Sequence, residues 1–160
     1  MLKTFEELEP ELEFKFKWTN DIYINDKKIS GILVEKMKDF FIVGIGINVN
    51  NEIKGEAENR AISMGKLTSK KYNIEEIIIS VVENIKKDLN FYFSGCWESI
   101  LAELNKKNYL YNKEINVFLG EGNSRKGTAG EIHKSGQLMV NIDNKDMLFN
   151  VGEIHITKNN

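Results

Sequence analysis

The sequence predicts an α+β protein, a mostly antiparallel sheet with helices followed by a small β-barrel. Residues 12–47 alternate or run apolar in short segments joined by turn residues, as antiparallel strands do. Residues 73–107 carry apolar side chains at helical spacing. After residue 110, about five short strand-like segments follow one another between glycine-containing or Asn/Asp-rich turns, which is typical of a small barrel.

Composition excludes several classes of protein. The 160 residues include 22 basic and 24 acidic side chains, a net charge of −2, so neither nucleic acid nor an anionic membrane is an expected partner. The single cysteine, Cys96, allows no intrachain disulfide and no cysteine zinc cluster. No apolar run approaches the roughly 20 residues that a membrane span needs. We expect a cytoplasmic protein.

The first segments predict a helix and an antiparallel meander. Thr4 to Glu7 has the spacing of a capping box, so a helix should begin at Thr4 and end before Pro10. The alternation from Leu12 to Trp18 predicts a strand. The rest of the meander is predicted as a strand at Ile22–Ile24, a turn at Asn25–Lys28, a return strand at Ile29–Met37 and a strand at Phe40–Ile47. Because the last segment, FFIVGIGI, is apolar throughout, it should be covered on both faces.

Two helices and a barrel complete the prediction. Asn73 caps a helix whose apolar face is formed by Ile74, Ile77, Ile78, Val81, Val82, Ile85 and Leu89. A second helix presents Trp97, Ile100, Leu101 and Leu104 and ends near Lys107. The barrel strands are predicted at residues 115–119, 127–133, 137–143, 147–151 and 153–157, with Gly120–Gly122 as a hairpin connection. We place the domain boundary between residues 109 and 110.

One cluster of residues has the chemistry of a binding site. Gly44 and Gly46 lie two apart in an apolar strand, where glycine is costly, and together they leave a flat floor without side chains. Asn48 brings a donor and an acceptor to its edge, and Lys28 brings a positive charge. Each has an ordinary alternative: a solvated turn for Lys28, a bulge or crowded packing for the glycines, and a strand-end cap for Asn48.

The ordered motifs resemble those of the biotin–protein ligase family. Residues 17–35, KWTNDIYINDKKISGILVE, resemble its K-W-P-N-D segment and the following K-x-x-G-I-L-x-E. Residues 41–50, FIVGIGINVN, resemble its G-x-G-I-N strand. The resemblance implies that residues 1–109 are the C-terminal portion of a catalytic domain with a partial class II synthetase-like core. Residues 110–160 would be an SH3-like barrel.

The resemblance also implies an activity and a set of site residues. Biotin and ATP, with Mg²⁺, would give biotinyl-5′-AMP, and biotin would pass to a lysine of a carrier domain such as that of acetyl-CoA carboxylase. Lys28 matches the catalytic lysine at the biotin carboxylate. Gly31, Gly44 and Gly46 match positions against the biotin rings. The residues that match the nucleotide side are Asn20, Asp21 and Asn48, of which Asp21 could support Mg²⁺.

Two departures from the family pattern set further expectations. Thr19 stands where proline is usual, and the 16 residues before Lys17 contain no G-R-G-R-x-G-R-like loop. We therefore expect a C-terminal part of a ligase that adenylates biotin poorly by itself. Two alternatives stay open: a lipoate ligase relative, or a non-catalytic binding module that pairs with a second copy or with a complementing N-terminal fragment. The family's helix-turn-helix domain has no counterpart, so DNA binding is not expected.

Overall fold

The computed structural model describes residues 1–118 and 124–150, together with the backbone of residues 154 and 155. The chain forms two compact units, Met1–Cys96 and Trp97–Asn160. Antiparallel sheets combined with a few helices confirm the predicted α+β class. The predicted domain boundary between residues 109 and 110 stays a prediction. The predicted connection at Gly120–Gly122 lies outside the described residues.

The first unit is built around one antiparallel sheet. Its elements in chain order are α1 (Leu2–Leu8), β1 (Lys15–Lys17), β2 (Asp21–Ile24), β3 (Lys27–Met37), β4 (Phe40–Ile47), a 3₁₀ helix (Gly55–Asn59), α2 (Met64–Thr68) and α3 (Ile74–Phe93). The strand order β1-β2-β3-β4 is the predicted meander. Asn25 and Asp26 adopt positive φ angles of 48° and 59°, so they alone form the β2–β3 turn, and Lys27 already belongs to β3.

The first helix begins earlier than predicted. It starts at Leu2 with Met1 at its N-cap, and no side chain caps it. Thr4 is buried inside the helix, where its hydroxyl accepts a hydrogen bond from the Asn84 amide at 3.1 Å. The capping-box prediction was wrong because this hydroxyl bonds to α3 instead of to the backbone of its own helix. The predicted end before Pro10 is confirmed.

The core of this unit lies between α1, the inner sheet face and α3. The rings of Phe5 and Phe14 stack with centroids 5.0 Å apart. The predicted strand from Leu12 to Trp18 was too long, because β1 begins only at Lys15. Its predicted buried face was partly right, since Phe14 and Trp18 are buried. The other buried apolar residues of this cluster are Met1, Ile22, Ile24, Ile29, Val49, Met64, Ile77 and Val81.

The prediction that β4 is covered on both faces was wrong. Phe40, Phe41, Ile42 and Val43 are 43–65% exposed. The neighbouring β3 residues Leu33, Val34 and Met37 are 50–60% exposed. Core packing reaches only the inner ends of the two strands, where Ile32, Ile45 and Ile47 are partly buried. An apolar run has the same sequence pattern whether or not a layer covers it.

The long helix is confirmed, but its buried face is narrower than predicted. Asn73 caps α3 by accepting a hydrogen bond from the Glu75 backbone N–H at 3.0 Å. Ile77 and Val81 are buried, whereas the predicted core residues Ile74, Ile78, Val82 and Leu89 are exposed. α3 spans 20 residues, and none of the helices in the described part of the chain is both long and apolar enough to cross a membrane.

The second unit is a helix on an antiparallel sheet. Its elements are α4 (Trp97–Lys106), β5 (Glu114–Phe118), β6 (Ser124–Ile132), β7 (Leu138–Ile142), β8 (Lys145–Phe149) and β9 (Ile154–His155). The strand order is β8-β7-β6-β5-β9, and its closure into an SH3-like barrel stays a prediction. Asn105 joins α4 to β6 through reciprocal hydrogen bonds of 2.7 and 3.0 Å with the Ile132 backbone. The predicted strand ends at residues 119, 151, 153, 156 and 157 lie outside the described residues.

A polar cluster ties the end of α1 to the segment after α2. The Glu9 carboxylate accepts hydrogen bonds from the Lys70 ammonium, at 2.8 and 2.9 Å, and from the Tyr72 hydroxyl. These bonds, the one from Lys70 foremost, lower the pKa of Glu9. Burial, and then the bond to Glu9, raises the pKa of Tyr72. The cluster holds a surface connection together and shares no residue with the cleft described below.

Replacing Glu9 should weaken the fold in a pH-dependent way. A carboxyl whose pKa is lowered by folding stabilises the protein above its unfolded-state pKa, and this stability is lost as the pH falls through the folded-state pKa. Glu9→Gln should therefore lower the urea midpoint at neutral pH, and the deficit should shrink below about pH 4. Glu11→Gln, at an exposed position, is the control. Equal deficits for Glu9→Gln at pH 7 and pH 3 would contradict this role.

Candidate functional site

A β-bulge places Lys28 on the same face of the sheet as Gly31. Asp21 pairs with Gly31 and Ile22 with Ser30, but Tyr23 pairs with Lys28, so Ile29 is an extra residue in β3. Without it, residues 28 and 31 would point to opposite faces, because successive strand residues alternate. The extra residue of the bulge shifts this alternation by one, so Lys28 and Gly31 lie on the same face. The Lys28 Nζ consequently lies 2.8 Å from the position that a Cβ on Gly31 would occupy.

Main-chain hydrogen bonds from a distant segment hold the bulge in place. The Lys28 N–H donates to the Arg60 carbonyl oxygen at 2.9 Å, and the Lys28 carbonyl accepts from the Ile62 N–H at 3.0 Å. The extra residue, Ile29, points into the core with no exposed surface, and its carbonyl accepts from the Asn48 N–H at 2.9 Å. The backbone at Lys28 is therefore fixed on both sides while its side chain extends into the cleft.

Asp21 orients the Lys28 ammonium. The Lys28 Nζ lies 2.6 Å from the Asp21 Oδ1, with the Lys28 side chain 43% exposed and that of Asp21 19% exposed. An ammonium has three donors, so one bond to Asp21 leaves further donors for an incoming anion. The carboxylate thus holds a positive charge at a defined point without closing the cleft.

Gly44 and Gly46 form an open floor next to this ion pair. Gly46 is the cross-strand partner of Gly31, and Gly44 is that of Leu33, in a ladder without a register shift. A Cβ added at either position would meet its nearest atoms only at 3.9 Å, an ordinary contact distance. The two alternatives considered for these glycines, a bulge and crowded packing, are therefore excluded. The fold itself does not require glycine at positions 44 and 46.

All seven predicted site residues line one cleft of about 520 Å³. They are Asn20, Asp21, Lys28, Gly31, Gly44, Gly46 and Asn48. Their roles toward ligands stay predictions. The remaining lining residues, which the sequence analysis did not single out, are Ile29, Ser30, Ile32, Leu33 and Ile47. Leu33 could have been found, because it lies two residues from Gly31 on the same face of β3.

The two asparagines of the cleft form hydrogen bonds with other residues of the chain. The side-chain amide of Asn20 donates to the Ile32 carbonyl oxygen at 2.5 Å, and the backbone carbonyl of Asn20 accepts from the Ile32 N–H at 2.9 Å. The Asn48 side-chain oxygen accepts from the Asn51 amide at 3.2 Å. Asn20 is therefore clamped to β3 and shapes the wall of the cleft, and Asn48 lies at the end of β4.

The cleft does not have the composition of a protein-built metal site. Asp21 is the single carboxylate that lines it among the described residues. Within residues 1–118 and 124–150, no group of three or more His, Cys, Asp or Glu side chains converges in a way that could hold a metal ion. A divalent ion here would need most of its oxygen ligands from a substrate.

Comparison with known proteins agrees with this fold. Residues 1–51 match the Biotin/lipoate A/B protein ligase family. The biotin protein ligase of Aquifex aeolicus superposes on this chain with a TM-score of 0.88 and 30% sequence identity, covering 98% of this chain and 70% of that one. The same enzyme in complex with biotin and ATP gives a TM-score of 0.87 at 30% identity, covering 98% of this chain and 67% of that one.

A curated relative extends the comparison to full-length enzymes. The biotin–[acetyl-CoA-carboxylase] ligase of Mycobacterium tuberculosis is 21% identical over 145 residues, which are 91% of this chain and 54% of that protein. The chain thus spans about half the length of this curated relative. The fold is that of the biotin and lipoate ligase class. Within that class, the chain belongs to the biotin protein ligase family.

The open floor predicts that alanine is tolerated at two glycine positions and harmful at a third. Gly44 and Gly46 are exposed strand residues, so Gly44→Ala and Gly46→Ala should stabilise the chain by up to about 0.5–1 kcal/mol. Gly65→Ala should destabilise it, because the added Cβ would lie 3.1 Å from the Lys70 carbonyl oxygen. Urea denaturation measures all three. Equal losses in the three variants would mean that Gly44 and Gly46 serve the fold and not the cleft.

Proposed function

We propose that this chain forms the lysine-bearing side of a biotin protein ligase active site. The reaction is ATP-dependent activation of biotin to biotinyl-5′-AMP, followed by transfer to a lysine of a biotin carboxyl carrier domain. Membership of the family supports this, as does the likeness to a ligase whose structure was solved with biotin and ATP. The observation that carries the proposal is the Lys28 ammonium next to an open glycine floor within a single cleft.

The charge of Lys28 suits the first step. A carboxylate oxygen of biotin attacks the α-phosphorus of ATP, and the bond from that phosphorus to the bridging oxygen breaks, releasing pyrophosphate. Two anions must approach each other, and negative charge accumulates around phosphorus. A positive charge that is already in place offsets both, which is commonly the largest contribution to catalysis. Lys28 is held for this task by Asp21 at 2.6 Å.

The glycines suit a flat ligand. Gly31 and Gly46 face each other across β3 and β4, and Gly44 continues the floor toward Leu33. The fused rings of biotin can contact this backbone directly, with their carboxylate directed toward Lys28. The apolar side chain of Leu33, which shares the face of the glycines, borders the same space. Small-molecule sites typically combine such apolar walls with a few polar groups that fix orientation.

The polar end of the cleft suits the nucleotide. Asn48 would contact the adenine, and Asn20 and Asp21 would lie on the phosphate side. Mg²⁺ fits this donor set as an ion held mainly by the phosphates of ATP, with Asp21 as the one carboxylate that lines the cleft among the described residues. When bound, the ion neutralises phosphate charge. Asp21 would then both hold the Lys28 ammonium and contribute negative charge near the ion that the phosphates bind.

The second step requires a partner protein. The amine of the carrier lysine attacks the acyl carbon of biotinyl-5′-AMP, the bond from that carbon to the phosphate oxygen breaks, AMP leaves, and the amine loses a proton. The partner would be the biotin carboxyl carrier domain of acetyl-CoA carboxylase or a similar domain. The Lys28 side chain is 43% exposed, so the open cleft beside it leaves room for the carrier domain to approach.

Ligand binding tests the proposal. Calorimetric titration of the purified chain with biotin, biotinyl-5′-AMP and lipoate should give binding of the two biotin compounds and a weaker response to lipoate. Biotinyl-5′-AMP should bind more tightly than biotin because it occupies both ends of the cleft. Binding of neither biotin compound at about 1 mM, by the chain alone or after a complementing N-terminal fragment is added, would refute the proposal. A preference for lipoate would assign the cleft to a lipoate ligase instead.

Removing the Lys28 charge should strongly slow activation while the fold persists. In enzyme reconstituted to full activity, Lys28→Ala should slow adenylate formation by about 10²–10³-fold, measured as pyrophosphate release. The urea midpoint should change little, because the Lys28 side chain is 43% exposed. Lys27→Ala is the matched control, since the Lys27 ammonium bonds the Glu58 carbonyl oxygen at 2.6 Å outside the cleft. A normal rate in Lys28→Ala would remove this residue from the mechanism.

A further inference from the structure

One row of cross-strand partners crosses all four strands of the first sheet. Lys17 on β1 pairs with Asp21 on β2. Asp21 pairs with Gly31 on β3, and Gly31 pairs with Gly46 on β4. Cross-strand partners share a face, so Lys17 lies on the cleft face of the sheet, one strand beyond the residues that line the cleft. With neighbouring strands about 4.8 Å apart, its backbone is about 10 Å from that of Gly31.

A neutral side chain holds the Lys17 ammonium. The ammonium donates to the Tyr23 hydroxyl oxygen at 3.0 Å and lies 4.6 Å from the centroid of that ring. Asp21, the carboxylate of the same row, is bonded to Lys28 instead. Within the part of the chain that the structure describes, no carboxylate lies at ion-pair distance from Lys17. Since an ammonium has three donors, Lys17 keeps two of them and its full charge for an anion.

Lys17 makes this end of the row positive. The ion pair of Asp21 and Lys28 has no net charge, so by itself it offers little attraction to a group with several negative charges. Two ammoniums and one carboxylate leave an excess of one positive charge. That excess lies on the side of Asp21 away from the glycine floor.

The direction of the row suits the departure of a leaving group. In the proposed first step, the biotin carboxylate reaches Lys28 from the glycine floor on β3 and β4. In a displacement at phosphorus, the attacking and the leaving oxygens lie roughly in line on opposite sides. An attack from β4 therefore directs the leaving group across β2 toward β1, where Lys17 lies.

We propose that Lys17 binds the pyrophosphate part of ATP and remains bonded to it as it leaves. This inference rests on the proposed function. When the biotin oxygen bonds to the α-phosphorus, the bond from that phosphorus to the bridging oxygen breaks, and its electron pair stays on pyrophosphate. The Lys17 ammonium offsets this charge, so it acts as a catalytic residue. Tyr23 is a positioning residue, since its hydroxyl and ring fix the ammonium.

Ligand binding separates this subsite from the rest of the cleft. Biotinyl-5′-AMP lacks the β- and γ-phosphates, so only ATP can reach Lys17. In calorimetric titrations of the full chain, with a complementing N-terminal fragment where it is needed for binding, Lys17→Met should weaken ATP binding about tenfold. The Kd of biotinyl-5′-AMP should stay within about twofold. Lys36→Met is the matched control, because Lys36 pairs with Phe41 on the face away from the cleft.

The two half-reactions give a second readout. In enzyme reconstituted to full activity, Lys17→Met should slow ATP formation from biotinyl-5′-AMP and pyrophosphate by about 10–100-fold. Transfer from preformed biotinyl-5′-AMP to the carrier domain involves no pyrophosphate and should change by less than about twofold. Tyr23→Phe should raise the KM for pyrophosphate about 3–10-fold with kcat nearly unchanged, because it removes only the hydroxyl that holds Lys17.

Two outcomes would overturn the role of Lys17 alone. One is normal ATP binding and normal ATP formation in Lys17→Met. The other is an equal loss in both half-reactions, which would mean that Lys17 supports the fold. A parent enzyme that forms no ATP from biotinyl-5′-AMP and pyrophosphate would instead refute the proposed ligase function, and this inference with it.

Discussion

One additional residue in β3 determines which way the lysine of this cleft points. Ile29 is inserted where β2 has no counterpart, and it fills the core with no exposed surface. In a regular strand, Lys28 would share the face of Ser30, which is buried, and its ammonium would lose water without a partner. Burying an unpaired charge costs several kcal/mol, so a regular strand with this sequence would be unstable. The bulge thus places Ile29 in the core and Lys28 in the cleft.

The cleft combines a fixed charge with an absence of side chains. Asp21 holds the ammonium, while the two glycines of β4 leave space that the surrounding structure does not need. An alanine at Gly31 would differ, because its Cβ would displace the Lys28 side chain. Glycine thus has two separate uses within one cleft: room for the lysine at Gly31, and room for something outside the protein at Gly44 and Gly46.

Local patterns predicted the elements well and their surroundings poorly. The meander and the helices α3 and α4 follow from alternation and caps, which depend on neighbouring residues only. The full set of seven site residues was implied by the resemblance to the biotin–protein ligase family. The bulge at Ile29 could not be predicted, since it arises from the pairing between two strands and from bonds to Arg60 and Ile62. The predicted burial of β4 and of the apolar face of α3 was wrong for a related reason. Hydrophobicity shows which environment a residue favours, whereas burial depends on which other elements are present.

The hydrogen bonds that anchor the backbone of Lys28 to the 60–62 segment involve main-chain atoms alone. The partners are the carbonyl oxygen of Arg60 and the N–H of Ile62, which every residue type except proline can supply. The exposed side chain of Arg60 can accordingly be exchanged without shifting the lysine, whereas the side chain of Ile62 is partly buried against the core. Homologues could therefore diverge at position 60, and an engineer could attach a label or a new recognition surface there while the ammonium stays in place.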